Sequence, residues 1–94
     1  MQPKAVEFSP RAERQLASIY AWYLDNAGVA VAVEAVNSIL DAAERLATLP
    51  ATYRAAARAG LREYVIERFP YLLLHRVSAH RIQVVAIIHQ SRKR

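Results

Sequence analysis

The residues best suited to chemistry, or to holding an anion, are one histidine and a set of cations near the end of the chain. His89 follows an apolar run, and three consecutive cations follow it at positions 92–94. Four of the arginines that precede it in the same half of the chain could act with it: Arg62, Arg68, Arg76 and Arg81. Histidine can transfer a proton near neutral pH, and arginine can hold a phosphate or a carboxylate. These residues predict either a phosphate-directed catalytic site or a surface that binds an anionic partner.

Catalysis on RNA would require three groups on one surface: a base for the ribose 2′-hydroxyl, cations for the charged phosphorane, and an acid for the leaving oxygen. The sequence offers His89 as the titrating group and Arg62 and Arg81 as the cations. Glu63 or Glu67 could act as a base, but their predicted strand positions do not place them beside His89. Because this set is incomplete, binding is favoured over cleavage.

The whole chain has a net charge of +5, and its positive charge is concentrated in the second half. Residues 1–50 carry four cations and six acids, a net charge of −2, whereas residues 51–94 carry nine cations and two acids, a net charge of +7. A surface of this kind attracts nucleic acid or an acidic protein segment. The chain contains no cysteine, which excludes disulfides and zinc–thiolate sites, and we expect no metal and no cofactor.

The first half predicts a strand followed by two antiparallel helices. Residues 4–8 alternate as a short strand, Ser9-Pro10 is a helix start, and 25–28 is its stop, with Gly28 as the cap. Polar residues recurring every three or four positions predict a second helix that ends at Pro50. The two apolar faces should be Ala12, Leu16, Ile19, Tyr20, Tyr23 and Ala27 in the first helix, and Ala32, Val36, Ile39, Leu40, Ala43 and Leu46 in the second.

After a connector at residues 51–60, the second half predicts three strands, at 61–66, 71–77 and about 81–88. The last strand should turn Ile82, Val84, Ala86 and Ile88 to one face. His75 shares a strand face with Tyr71, Leu73 and Val77, which favours a packing role over a catalytic one. The chain is expected to form a single α+β domain over residues 1–94: an N-terminal strand, an αα-hairpin and a three-stranded antiparallel meander, with the helices packed on one face of the sheet.

Several local motifs, in order along the chain, narrow this fold class. They are "FSPRAERQLASIYAWY", "LATLP", "GLREYVI", "FPYLLLHRV" and the terminal "HQSR". Together they resemble the RelE/ParE superfamily of bacterial toxins, and the ParE-like branch in particular. The resemblance implies the toxin of a type II toxin–antitoxin system that inhibits DNA gyrase by binding and is neutralised by a cognate ParD-like antitoxin in a hetero-oligomeric complex.

The resemblance, the charge pattern and the position of Trp22 on a polar helix face together indicate which residues do this work. The residues expected to bind the target are Arg62, His89, Arg92, Lys93 and Arg94. The residues expected to bind the antitoxin are Trp22, Arg54, Arg58 and Arg76. Each has a purely structural alternative: Arg62 could pair with Glu34 or Glu44, Trp22 could be covered by the connector or the tail, and His89 could merely end a strand.

Two other functions remain open at this stage. A RelE-like member would instead be an endonuclease that cuts messenger RNA on the ribosome, with Arg62, Arg81 and His89 as its catalytic residues. A degenerate toxin would act only within an autoregulatory complex with its antitoxin. The absence of a signal pattern and of a long apolar run predicts a cytoplasmic protein with no membrane partner.

Overall fold

The computed structural model describes residues 4–48 and 60–92. In this part of the chain the elements are, in order, β1 (Ala5–Phe8), α1 (Pro10–Ala27), α2 (Val29–Leu46), β2 (Arg62–Val65), β3 (Tyr71–Val77), β4 (Arg81–His89) and a 3₁₀ turn (Gln90–Arg92). The predicted order of strand, helical hairpin and three strands is confirmed. The second helix ends at Leu46, and Pro50, predicted to end it, lies outside the described residues.

The described strands form one sheet in the order β1-β4-β3-β2. β2, β3 and β4 form the predicted antiparallel meander, and β1 pairs in parallel with β4. One face of the sheet packs against the two helices, and the core between them is built from Ile39, Leu46, Leu73, Ile82 and Val84, among others. This is the α+β fold expected from the sequence.

The start of α1 follows from its first residues. The Ser9 hydroxyl accepts a hydrogen bond from the Ala12 backbone N–H at 3.0 Å, and Pro10 occupies the first helical position, where a missing N–H costs nothing. The helix ends at Ala27 and is capped by Gly28, which has a φ of 92°. This positive φ favours glycine, and it lets the chain turn straight from α1 into α2.

β1 and β4 differ in length, and α1 makes up the difference. β1 pairs only with Arg81–Val84, so the same edge of β4 has no neighbouring strand in the described chain beyond that point. Ser9 donates its hydroxyl to the Val85 carbonyl at 2.8 Å, and Gln15 Oε1 accepts from the Ile87 N–H at 2.7 Å. Two side chains of the α1 segment therefore take over the ladder bonds that a longer β1 would have made.

The predicted apolar face of β4 is wrong beyond Val84. Leu74 pairs with Ala86 but His75 pairs with Val84, so Val85 is an extra residue, a β-bulge. An extra residue reverses the alternation of faces, and Ile87 rather than Ile88 joins the core between sheet and helices. Strict alternation could not anticipate this, because a bulge is set by the register between two strands.

The predicted buried face of α2 is also partly wrong. Leu40 is 37% exposed, whereas Ala35 and Ala42 are fully buried. The buried arc of α2 is centred on Ile39, and the small alanines beside it allow the helix to approach its neighbours closely. Leu40 falls outside that arc, on the solvent side. In α1, Ala27 is exposed because it is the last residue of its helix.

We predict that Ser9→Ala lowers the free energy of unfolding by about 1–2 kcal/mol, because it removes both the cap of α1 and the bond to the Val85 carbonyl. Urea unfolding followed by circular dichroism would measure this loss. Ser9→Thr is the matched control, since it keeps the hydroxyl and should stay close to the parent protein. An alanine variant as stable as the parent would show that neither bond contributes to stability.

Candidate functional site

A groove lies between α1 and the C-terminal end of β4, and we call it the α1–β4 groove. Its volume is about 790 Å³. It is lined by Arg11, Arg14, Gln15, Ser18, Ile19, Trp22, Tyr23, Pro70, Tyr71, Ile87, His89 and Ser91. The groove thus brings Trp22, the expected antitoxin contact, onto the same surface as His89, the expected target contact.

One wall of the groove is the polar face of α1. Arg11, Gln15, Ser18 and Trp22 recur at intervals of three or four residues, which places them in one row along the helix. Trp22 is 57% exposed, an unusual state for so large an aromatic side chain. Arg14, one turn after Arg11, also lines the groove and was missed by sequence reasoning, which sought the cations only in the second half of the chain.

The opposite wall is the end of β4 and the turn after it. His89 pairs with Tyr71 across the sheet, and their rings meet edge to face at a centroid distance of 5.4 Å. The Ser91 N–H donates to His89 Nδ1 at 3.2 Å, with the Ser91 hydroxyl 2.7 Å from the same atom. Because Nδ1 accepts, the neutral imidazole carries its proton on Nε2 as a hydrogen-bond donor.

Tyr71, the aromatic neighbour of His89, is not a candidate base. Burial, together with a hydrogen bond to the Tyr23 hydroxyl, raises the pKa of Tyr71 to about 12. Its phenol therefore stays protonated across the physiological pH range. Tyr71 serves the groove as a rigid, neutral wall.

The structure does not bring together the three residues named for RNA cleavage. Arg62 of β2 pairs with His75 of β3, and His89 of β4 pairs with Tyr71 of β3. His75 and Tyr71 are four residues, or about 13 Å, apart along β3, and Arg62 and His89 lie on opposite sides of that strand. Arg81 lies eight residues from His89, about 25 Å along β4. A general acid, a base and a cationic cradle must lie within a few ångströms of one phosphate, and these positions do not allow it.

The surroundings of Arg81 and Arg62 give each of them another role. Arg81 lies on the face of the sheet away from the helices, where Nη1 is 3.3 Å from Glu7 Oε1. Arg62 lies on the helix-facing side beside His75. Glu34, one of the partners considered for Arg62, instead forms an ion pair with Arg68 at 2.7 Å. Arg62 is therefore not part of the surface around His89.

The remaining expected contacts do not form one patch either. Tyr71, Leu73 and Val77, at alternate positions of β3, face the helix layer. Arg76 lies between two such positions, so it is exposed on the other face of the sheet. Arg76 and Trp22 thus lie on opposite sides of the sheet. Arg54, Arg58, Lys93 and Arg94 lie outside the described residues, as does the side chain of Arg92.

His75 is fully buried, as its packing role predicts. Its Nδ1 lies 3.1 Å from the Leu73 carbonyl. Burial lowers the pKa of His75 and the nearby positive charge of Arg62 lowers it further, against the raising effect of the hydrogen bond to the Leu73 carbonyl. A neutral, enclosed imidazole of this kind stabilises the fold and contacts no ligand surface.

No set of three His, Asp or Glu residues in 4–48 and 60–92 lies close enough to hold a metal ion. No described helix is both long enough and apolar enough to cross a membrane.

Comparison with known proteins identifies the family. The family model of the ParE toxin of the type II toxin–antitoxin system parDE matches residues 6–94. A solved structure titled "Chromosomal ParDE TA system from P. aeruginosa" superposes with a TM-score of 0.81 at 24% identity, covering 92% of this chain and 95% of that one. At that identity the superposition shows a shared fold alone. No curated protein matches the sequence.

The buried His75 predicts acid sensitivity. Its pKa in the folded state is lower than in the unfolded state, so the unfolded state binds the proton first as pH falls. The free energy of unfolding should hold above about pH 6.5 and decline below it, by up to about 1.4 kcal/mol per pH unit. Urea unfolding between pH 8 and pH 5 would measure the decline.

The variant His75→Gln should lose most of that slope, because it removes the titrating group. His80→Gln is the control: His80 is exposed at the β3–β4 turn, so this variant should keep the parent slope. Equal slopes in the parent and His75→Gln would contradict the assignment.

Proposed function

The chain belongs to the family of ParE toxins of type II toxin–antitoxin systems, and we propose that it arrests growth by binding and inhibiting DNA gyrase, with a ParD-like antitoxin as its neutralising partner. The neutralised toxin would be present in the cytoplasm as a hetero-oligomeric complex with its antitoxin. The proposal assigns the toxin a binding function with no chemical step of its own.

The separation of Arg62, Arg81 and His89 carries this proposal. Arg62 lies beside the buried His75, and Arg81 lies on the far face of the sheet against Glu7, so neither can assist His89. What surrounds His89 is an aromatic and cationic groove, which suits a contact surface. A ribosome-dependent nuclease, the alternative considered from the sequence, would need acid, base and cations in one cleft.

The shape of the groove supports a simple mode of neutralisation. Trp22 and His89 line one concavity of about 790 Å³. A helical antitoxin segment, whose backbone N–H groups are bonded within the helix, would cover the end of β4 if seated there and exclude the target by occlusion. An acidic segment that folds on binding would also offset the positive charge of Arg11 and Arg14. Neutralisation of this kind needs no conformational change in the toxin.

We predict that the purified toxin inhibits gyrase supercoiling and that His89→Ala raises the concentration for half-inhibition about tenfold, equivalent to about 1.4 kcal/mol of lost contact. A supercoiling assay across a toxin titration would measure it. His80→Ala is the matched control, since His80 lies at the opposite end of β4, and it should inhibit like the parent.

Three outcomes would contradict the proposed function. Unimpaired supercoiling at saturating toxin would exclude gyrase as the target. Cleavage of translated messenger RNA at the ribosomal A site, detected by primer extension and lost in His89→Ala, would establish the nuclease instead. Harmless expression together with tight antitoxin binding would indicate the degenerate toxin.

The terminal cations provide a second test. Replacing Arg92, Lys93 and Arg94 by Gln should raise the half-inhibitory concentration at least about tenfold, because the charges would meet the target, while antitoxin affinity stays within about twofold. Supercoiling assays and titration calorimetry with the antitoxin would measure the two effects. The control is the Gln variant of Arg45, Arg68 and Arg81, which removes the same charge outside both sets of expected contacts. Equal inhibition by the tail variant and the parent would show that the tail is only solvated.

A further inference from the structure

The α1–β4 groove is positively charged, although two of its cations come from the half of the chain whose net charge is −2. Its lining includes Arg11, Arg14 and His89 but no aspartate or glutamate. Within residues 4–48 and 60–92, neither Arg11 nor Arg14 forms an ion pair. The two lie one helical turn apart on the same wall, so their guanidinium groups can act on one ligand. In sequence, three more cations follow Ser91, the last residue of the lining.

The polar groups of the groove are mostly hydrogen-bond donors. Gln15 Oε1 already accepts from the Ile87 N–H, and His89 Nδ1 already accepts from the Ser91 N–H. The hydroxyl groups of Ser18, Tyr23 and Ser91 can both donate and accept. The other polar groups that remain only donate: the two guanidinium groups, the Gln15 amide N–H groups, and the ring N–H groups of His89 and Trp22. An extended peptide brings as many N–H donors as carbonyl acceptors, and its donors would find few partners here. A phosphodiester only accepts, so it matches this supply.

The aromatic side chains of the groove indicate what a ligand must carry besides its phosphates. Trp22 is exposed and is held by an edge-to-face contact with Tyr23 at a centroid distance of 5.0 Å. Tyr71 and His89 form a second edge-to-face pair. Cations that follow a backbone, combined with aromatic rings on which bases stack, are the elements of single-strand recognition, and each stacked base contributes about 1–3 kcal/mol. A base within a duplex is already stacked on its neighbours and is not available for such a contact.

We propose that the α1–β4 groove binds single-stranded nucleic acid without cleaving it. Arg11 and Arg14 hold two phosphates and Trp22 stacks on a base. The volume of about 790 Å³ is in the range of sites for drug-sized ligands, and a dinucleotide is of that size. The proposal goes beyond gyrase inhibition and does not depend on it. Oligonucleotide binding is measured on the toxin alone, so either activity can fail without the other.

The test uses a feature of the sequence: Trp22 is the only tryptophan, and it lies in the groove. Titration with a twelve-residue oligothymidylate, and separately with oligouridylate, should quench its fluorescence to saturation. Two phosphate contacts predict an affinity about sevenfold weaker at 200 mM than at 50 mM salt. Binding of either oligomer supports the proposal, and the comparison shows whether the sugar matters.

Variants locate the site. The double variant R11Q/R14Q should weaken binding at least tenfold at 50 mM salt and lose most of the salt dependence, with anisotropy of a labelled oligonucleotide as the readout. Trp22→Ala should weaken binding about tenfold in the same assay. The matched control R68Q/R81Q removes the same charge from exposed ion pairs outside the groove and should bind within about twofold of the parent. Thermal unfolding of each variant would confirm that it is folded.

Several results would overturn the proposal. One is the absence of saturable quenching at 50 mM salt. Another is equal weakening in R11Q/R14Q and R68Q/R81Q, which would mean attraction by net charge alone. A third is quenching by an acidic helical peptide but not by the oligonucleotides, which would assign the groove to a protein ligand. Cleaved oligonucleotide on a gel would replace binding with catalysis.

Discussion

The arrangement of this molecule depends on a mismatch in length between two neighbouring strands. β1 has four residues and β4 has nine, so the edge of β4 beyond Val84 would present unpaired backbone groups. Buried backbone groups must find partners, and an open strand edge invites pairing with other chains. Ser9 and Gln15 supply the missing bonds from α1. They fix that helix along the open edge, which leaves little freedom in where its other side chains point.

The position of the α1–β4 groove follows from that placement. With Gln15 bonded to the Ile87 N–H, the row that runs from Arg11 through Ser18 to Trp22 faces the end of β4. His89, two residues after Ile87, then becomes the opposite wall. The local charge of the site therefore comes partly from arginines in the half of the chain whose net charge is −2. Charge in three dimensions and charge along the sequence are different quantities here, because the sheet brings the two halves together.

Local signals in the sequence predicted the elements well, and long-range register explains what they missed. Ser9-Pro10, Gly28 and the alternation of residues 71–77 each act within a few positions, so helix starts, the hairpin and β3 were correct. The face of β4 was wrong because the bulge at Val85 depends on pairing with β3. The position of Arg62 relative to His89 also depends on strand order. The row of Arg11, Gln15, Ser18 and Trp22 was visible in the sequence, but nothing in it showed what that row would face.

The same geometry bears on how one small fold can serve catalysis in some proteins and binding in others. Catalysis needs several groups within reach of one atom, whereas binding needs only a surface whose donors, charges and apolar areas match a partner. In this chain Arg81 is committed to Glu7, Arg62 lies beside a buried histidine, and His89 Nδ1 is committed to Ser91. These contacts hold the three residues at separate places in the fold. Because the groove is small, two partners that use it must exclude one another. When two partners compete for one groove, the one with the larger ratio of concentration to dissociation constant occupies it.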